Sequence, residues 1–144
     1  MCYNALLKSR GNVTELRNEF IIDDNGCLME YIGTSKYVSL PSAVKEISFR
    51  TFFRSDICSI EIPDSVTYID VQAFLCCDNL RHVVIPISVK AMEYAVFEDC
   101  NNLTDIYLEA QRGTHLGYDW GYGCKAKLHF AGEWEYVDGV PKVK

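Results

Sequence analysis

The chain has 144 residues, is 49% apolar and 24% charged, and carries a formal net charge of −6. That length suggests a single domain able to bury roughly 68–70% of its unfolded surface in a core, and the apolar content speaks against disorder. The acidic balance leaves no excess of Lys and Arg to neutralise phosphates or an anionic bilayer, which speaks against nucleic-acid and membrane-surface binding.

No apolar run approaches the ~18 residues that a membrane span needs. The opening "MCYNALLKSRGNVTEL" lacks the charged start and apolar stretch of a signal peptide, so a cytoplasmic location is expected. A surface or secreted location is the expectation if a longer precursor was trimmed. The seven cysteines are an odd number and include the adjacent pair Cys76 and Cys77, which does not suit a disulfide framework. No CxxC pair is present to build a structural zinc site, and free thiols are expected.

The first predicted element is a short helix. Asn12-Val13-Thr14-Glu15 has capping-box spacing and would open a helix reaching about Asn18. Phe20–Asp23 and Cys27–Tyr31 then read as two strands of a hairpin turned at Asn25-Gly26, forming an N-terminal lid.

Beyond this hairpin the sequence repeats itself. Pro41, Pro63 and Pro86 are 22 and 23 residues apart, in "LPSAV", "IPDSV" and "IPISV". Each proline is followed in register by an apolar residue (Ile47, Ile69, Met92) and a phenylalanine (Phe52, Phe74, Phe97). A small residue (Ser55, Cys77, Cys100) and an aliphatic one (Ile57, Leu80, Leu103) come next. Each unit closes on a short alternating segment, "SIEI", "HVVI" or "DIYL". Alternate residues of these segments face inward: Ile60 and Ile62, Val83 and Ile85, Ile106 and Leu108. Proline ends each strand, because it has no N–H to donate to a ladder. A single coil cannot bury its own apolar face, so the coils must stack, with the phenylalanines in one column.

The stretch "IPDSVTYIDVQAFLCCDNLRHVVIP", with "AFLCCDNL" and "VFEDCNNL", resembles the BspA-like or treponemal-type leucine-rich repeat over roughly Val38 to Leu108. The first unit departs from that pattern, with Thr51 for Ala and Ser55 for Cys. The resemblance implies a right-handed solenoid, and binding modules that often belong to bacterial surface proteins implicated in adhesion. The expected architecture is thus a β-rich, leucine-rich-repeat-like solenoid of about three full coils, capped by hairpins at both ends. Residues 1–37 form the N-terminal segment and cap, 38–108 the solenoid, and 109–144 the C-terminal cap, all in one domain.

In the tail, Lys127–Phe130 reads as one more strand. "EWEYVDGVPKV" reads as a hairpin around Asp138-Gly139, with Pro141 on an edge strand. Trp134 and Tyr136 share one face of it. They either seal the last coil or form an exposed aromatic patch.

A search for chemistry yields little. Cys58 precedes the strand of the coil next to His82, yet no third group is placed to orient a Cys58–His82 pair. His115 and His129 lie at no metal-ligand spacing. Asp23, Asp24 and Asn25 lack the twelve-residue calcium loop with its closing Glu, and "GYDWGYG" lacks a phosphate-binding fingerprint. Asn12-Val13-Thr14 and Asn102-Leu103-Thr104 match the glycosylation triplet, which matters only after eukaryotic secretion. The expectation is a non-catalytic protein-binding or scaffolding module with no cofactor and no metal. An adhesin-type module acting outside the cell is the rival within binding, and a small thiol-dependent enzyme the rival from another class.

By alternation, the outward strand face carries Tyr37, Ser39, Ser59, Glu61, His82, Val84, Asp105, Tyr107 and Glu109. The expected partner-binding set is Tyr37, Glu61, His82, Val84, Asp105, Tyr107 and Glu109, with none of them needed for the core. Aromatic groups would anchor a protein partner, and the acidic groups would steer a basic one. The open edge of the sheet could be capped or serve dimerisation.

Overall fold

The computed structural model describes residues 13–17 and 19–144, with side chains from Glu19 onward. Cys2 and the start of the expected helix at Asn12 lie outside the described residues. Val13–Arg17 forms a strand, β1, where a helix was expected. It pairs antiparallel with β2 (Phe20–Asp23), from Arg17 opposite Phe20 to Val13 opposite Asp23. A capping signal is worth about 1 kcal/mol, and the hydrogen bonds offered by the open edge of β2 outweigh it.

The expected hairpin forms between β2 and β3 (Cys27–Tyr31). Gly26 takes φ 82° and donates to the Asp23 carbonyl at 3.1 Å. Asp23 Oδ1 accepts the Asn25 and Cys27 N–H groups, both at 2.9 Å. A side chain at Gly26 would also strike the next coil, since a Cβ there would lie 2.8 Å from the Ala43 carbonyl oxygen.

From here two columns of short parallel strands rise together. The first continues the hairpin through β5 (Glu46–Ile47), β7 (Tyr68–Ile69) and β9 (Ala91–Met92), in the order β1-β2-β3-β5-β7-β9. The second holds β4 (Tyr37–Ser39), β6 (Ser59–Glu61), β8 (His82–Ile85), β10 (Asp105–Leu108) and β11 (Lys127–His129). Its ladder is split into β4-β6 and β8-β10-β11, and the Arg81 N–H reaches the Cys58 carbonyl at 3.4 Å across the gap. A last antiparallel hairpin joins β12 (Trp134–Val137) and β13 (Val140–Val143). No helix occurs among the described residues.

The solenoid has about five turns, where about three were expected. Residues in the left-handed backbone region mark the corners of successive coils. One set is Arg50, Gln72, Ala95 and Asp119, and the other Arg54, Cys76, Asp99 and Gly123. Both sets run on into "DWGYGC", so the segment expected to begin the C-terminal cap is another coil. The N–H groups of Ala95, Val96 and Asp99 donate to the carbonyls of Asp119, Trp120 and Gly123, which welds this coil to the one before.

The core follows the repeat. Ile60, Ile62, Val83, Ile85, Ile106 and Leu108 are all buried. The Phe52 and Phe74 rings stack at 5.0 Å and 1°, and those of Phe74 and Phe97 at 5.2 Å and 15°. The cysteine column links coils: the Cys77 thiol donates to the Phe52 carbonyl at 3.0 Å, and the Cys100 thiol to that of Phe74 at 2.9 Å. Contact with the Cys100 thiol, and then burial, raise the Cys77 thiol above the ordinary thiol range. All six described cysteines are free. Thr51, the departure in the first unit, is buried and donates to the Leu28 carbonyl at 2.9 Å, so its hydroxyl is satisfied by the coil beneath.

The strand register gives a direct test. Ile60 is 6% exposed, and its neighbour Glu61 lies on the solvent side. Ile60→Ala is expected to lower the unfolding free energy by about 2–5 kcal/mol, as a cavity mutation does. Glu61→Ala is expected to stay within about 0.5 kcal/mol. Urea denaturation of both variants checks this, and equal losses would contradict the register.

Candidate functional site

The C-terminal hairpin follows directly on β11, the strand of the last coil. It folds back onto the outward face of the second strand column. Asp138 at φ 53° and Gly139 at φ 78° make the tight turn that the sequence signals. Trp134 Nε1 donates to the Leu108 carbonyl at 3.1 Å, and its ring lies 5.3 Å from that of Tyr107. Tyr107 stacks on His129 at 5.0 Å, and His129 Nε2 meets Asp105 Oδ1 at 2.7 Å. Arg112 and Glu133 pair at 2.6 Å at the base of the hairpin.

This changes the reading of two expected site residues. Tyr107 points outward from the solenoid but is only 6% exposed, because Trp134 and His129 cover it. It serves the packing that the alternation pattern assigned to other residues. Asp105 is engaged by the Thr104 hydroxyl and by His129. Burial works to raise its pKa, but the donors from Thr104 and His129 outweigh this and hold the carboxyl below its usual range. Of the two readings of the tail aromatics, Trp134 takes the sealing one, although it seals the strand face. Tyr136 stays 55% exposed.

The other five expected residues come together. Tyr37, Glu61, His82, Val84 and Glu109 line a groove of about 660 Å³ between the strand face and the hairpin. Val84, Pro63, Pro86 and Pro141 supply its apolar surface, and Tyr136 and Gly139 its hairpin side. Glu61, Asp64 and Glu109 give it three carboxyl groups, and no Lys or Arg lines it. Ser39 Oγ donates to Glu61 Oε2 at 2.8 Å, and the Ile87 N–H to Glu109 Oε2 at 2.9 Å. Burial first, and then the charges of Glu109, Glu61 and Asp64, push the Tyr136 phenol above its ordinary value. The hydroxyl of Tyr136 therefore shares its surroundings with all three carboxylates.

Sequence reasoning missed Tyr136 as a wall of the groove and His129 as the partner of Asp105. A signal for His129 was present. It occupies the same column position as Glu61, Val84 and Tyr107, and Tyr107 lies opposite it in the ladder. Extending the repeat spacing one step past Leu108 would have found it. The sequence puts Tyr136 on a sealing or exposed aromatic face, but nothing in it signals a place over the strand face, since the hairpin lies outside the repeat. The Cys58 thiol points to the Asp56 carbonyl at 3.9 Å, with no contact to His82. Among the described residues no three His, Cys, Asp or Glu side chains converge as a metal site would require. No helix among them is long and apolar enough to cross a membrane.

The model of the BspA type leucine rich repeat region matches residues 26–127 in six copies. A search of curated proteins finds no match. Among solved structures, the chain is similar to a leucine-rich repeat protein from Bacteroides capillosus, with 19% identity and a TM-score of 0.63, covering 84% of this chain and 99% of the other. It is also similar to one from Eubacterium ventriosum, with 23% identity and a TM-score of 0.63, covering 69% of this chain and 27% of the other. A leucine rich cell surface protein from Faecalibacterium prausnitzii matches with 22% identity and a TM-score of 0.57, over 77% of this chain and 40% of the other. This chain thus spans well under half of the Eubacterium and Faecalibacterium proteins.

Proposed function

Because this chain belongs to the BspA-type leucine-rich-repeat family, we propose that it is a non-catalytic protein-binding module whose binding site is the groove between the strand face and the C-terminal hairpin. The observation that carries this reading is the groove itself. It is a concave surface of about 660 Å³ that combines an apolar floor with a few polar groups, as ligand sites commonly do. Tyr37, 76% exposed, and Tyr136, 55% exposed and braced edge-on by Trp134, stand on it as aromatic side chains of the kind that anchor interfaces. The repeat stack beneath is held by buried phenylalanines and inter-coil hydrogen bonds, so the site rests on a rigid scaffold.

Peptides selected from a random display library on the wild-type protein are expected to lose at least about tenfold in affinity on Val84→Trp, a change that fills the groove at a strand position. Tyr118→Ser on the last coil, away from the groove, is expected to leave binding unchanged. Circular dichroism should show the same fold for both variants. Binding that survives Val84→Trp and fails on Tyr118→Ser would move the site to the last coil and refute the proposal.

A second reading has the same groove act outside the cell, as an adhesin-type module. It draws support from the Faecalibacterium neighbour, described as a cell surface protein. The cytoplasmic alternative draws support from the free state of all six described cysteines. Protease treatment of intact source cells separates the two.

A further inference from the structure

We propose that the groove takes an extended peptide segment presenting a Lys or Arg side chain to the site formed by Glu61, Asp64, Glu109 and Tyr136. This rests on the groove being the binding site and adds the chemistry of its occupant.

The charges of the groove are unbalanced in a way that those beside it are not. Glu133 has Arg112, and Asp105 has His129. Glu61, Asp64 and Glu109 have no cationic partner among the described residues, and no Lys or Arg lines the cavity they share. An anionic ligand would meet three carboxylates against the single imidazole of His82, while a cation would meet those carboxylates as acceptors. Two of them are positioned in advance. Ser39 holds one oxygen of Glu61, and the Ile87 N–H holds one oxygen of Glu109. The second oxygen of each has no protein donor among the described residues. A guanidinium or ammonium group is the donor-only group that suits such acceptors.

The apolar part of the groove completes the match. Lys and Arg carry long aliphatic stems that lie along apolar surface while the charged head reaches polar groups. Pro63, Val84, Pro86 and Pro141 offer that surface. Tyr136 lines the same groove and its hydroxyl feels all three carboxylates, so a cation there could meet ring and carboxylates together. A cavity of about 660 Å³ is larger than one side chain needs, which favours a chain segment over a free amine.

The test uses fluorescence polarisation with three capped, labelled peptides of alternating sequence: Leu with Lys, Leu with Arg, and Leu with Gln. Wild-type protein is expected to bind the Lys and Arg peptides about tenfold or more tightly than the Gln peptide, with the preference shrinking at high salt. Glu61→Gln combined with Glu109→Gln is expected to abolish the preference. Asp24→Asn combined with Glu93→Gln removes the same charge on the other side of the solenoid and is expected to preserve it. If that remote pair loses the preference equally, the attraction is general and the proposal falls. If Val84→Trp weakens all three peptides alike and wild type shows no preference, the groove stands as the site and the cationic occupant is overturned. If wild type binds the Lys peptide and Val84→Trp leaves it unchanged, both readings fall. A wild-type protein that binds none of the three overturns the cationic occupant.

Discussion

Phe74→Ala is expected to lower the unfolding free energy by about 3–5 kcal/mol, the range for deleting a fully buried phenylalanine. Phe74 is 0% exposed and sits at the centre of the ring column, stacked on Phe52 below and Phe97 above. Its removal opens a cavity between three coils and breaks two ring contacts, each worth about 0.5–1.5 kcal/mol beyond burial. Phe97 is the informative comparison. It is equally buried, but the column stops above it, because the corresponding place in the next coil is Gly121. Phe97→Ala is therefore expected to cost less than Phe74→Ala by about one such contact. Urea melts with the slope compared across variants measure both. Equal losses would mean that burial alone stabilises the column, and a loss below about 1 kcal/mol for Phe74→Ala would contradict the stacked core.

The repeat was readable because its physics is local and periodic. Inward residues, phenylalanines and prolines recur at a spacing that only stacked coils can satisfy, so the buried set follows directly from the letters. The coil count was short because the last coil changes its residues while keeping its backbone. Asp119 and Gly123 take the left-handed corners held earlier by Ala95 and Asp99, and Trp120 takes the place of Val96. Cys124, in line with Cys77 and Cys100, was the surviving clue. The short strands β5, β7 and β9 escaped notice because two residues carry no alternation pattern. On the strand face, alternation tells which residues leave the core and nothing about what covers them. Tyr107 and Val84 are equivalent in the sequence. The hairpin that buries the first and walls a groove over the second is placed by Trp134 and the Arg112–Glu133 pair, which no spacing rule foretells.

Gly117→Ala is expected to be the most damaging small substitution in the last coil. Gly117 has φ 138°, a region that residues with a side chain rarely adopt, and forcing one there costs about 1–3 kcal/mol. The larger effect is steric. A Cβ at this position would lie 2.0 Å from the Met92 carbonyl oxygen and 3.2 Å from its carbon, both backbone atoms that no rotamer change can move. The neighbouring residue explains the crowding: the Met92 N–H donates to the Leu116 carbonyl at 2.6 Å, so the last coil presses directly on β9. An alanine must push the two apart and break that contact. Gly113 and Gly132 separate the two causes. They have φ 92° and 89°, but a Cβ at either meets nothing within 4 Å. Gly113→Ala and Gly132→Ala are expected to show the conformational cost alone, and Gly117→Ala clearly more. The damage should also reach the groove, because β11 and the Trp134 hairpin hang from this coil. Hydrogen exchange is expected to quicken at Met92, Ala95 and Val96 and at the β10–β11 ladder, while the β4–β6 pair stays protected. Exchange that is unchanged in β10–β11, with stability equal to that of Gly113→Ala, would show that the last coil is held independently of its contact with β9.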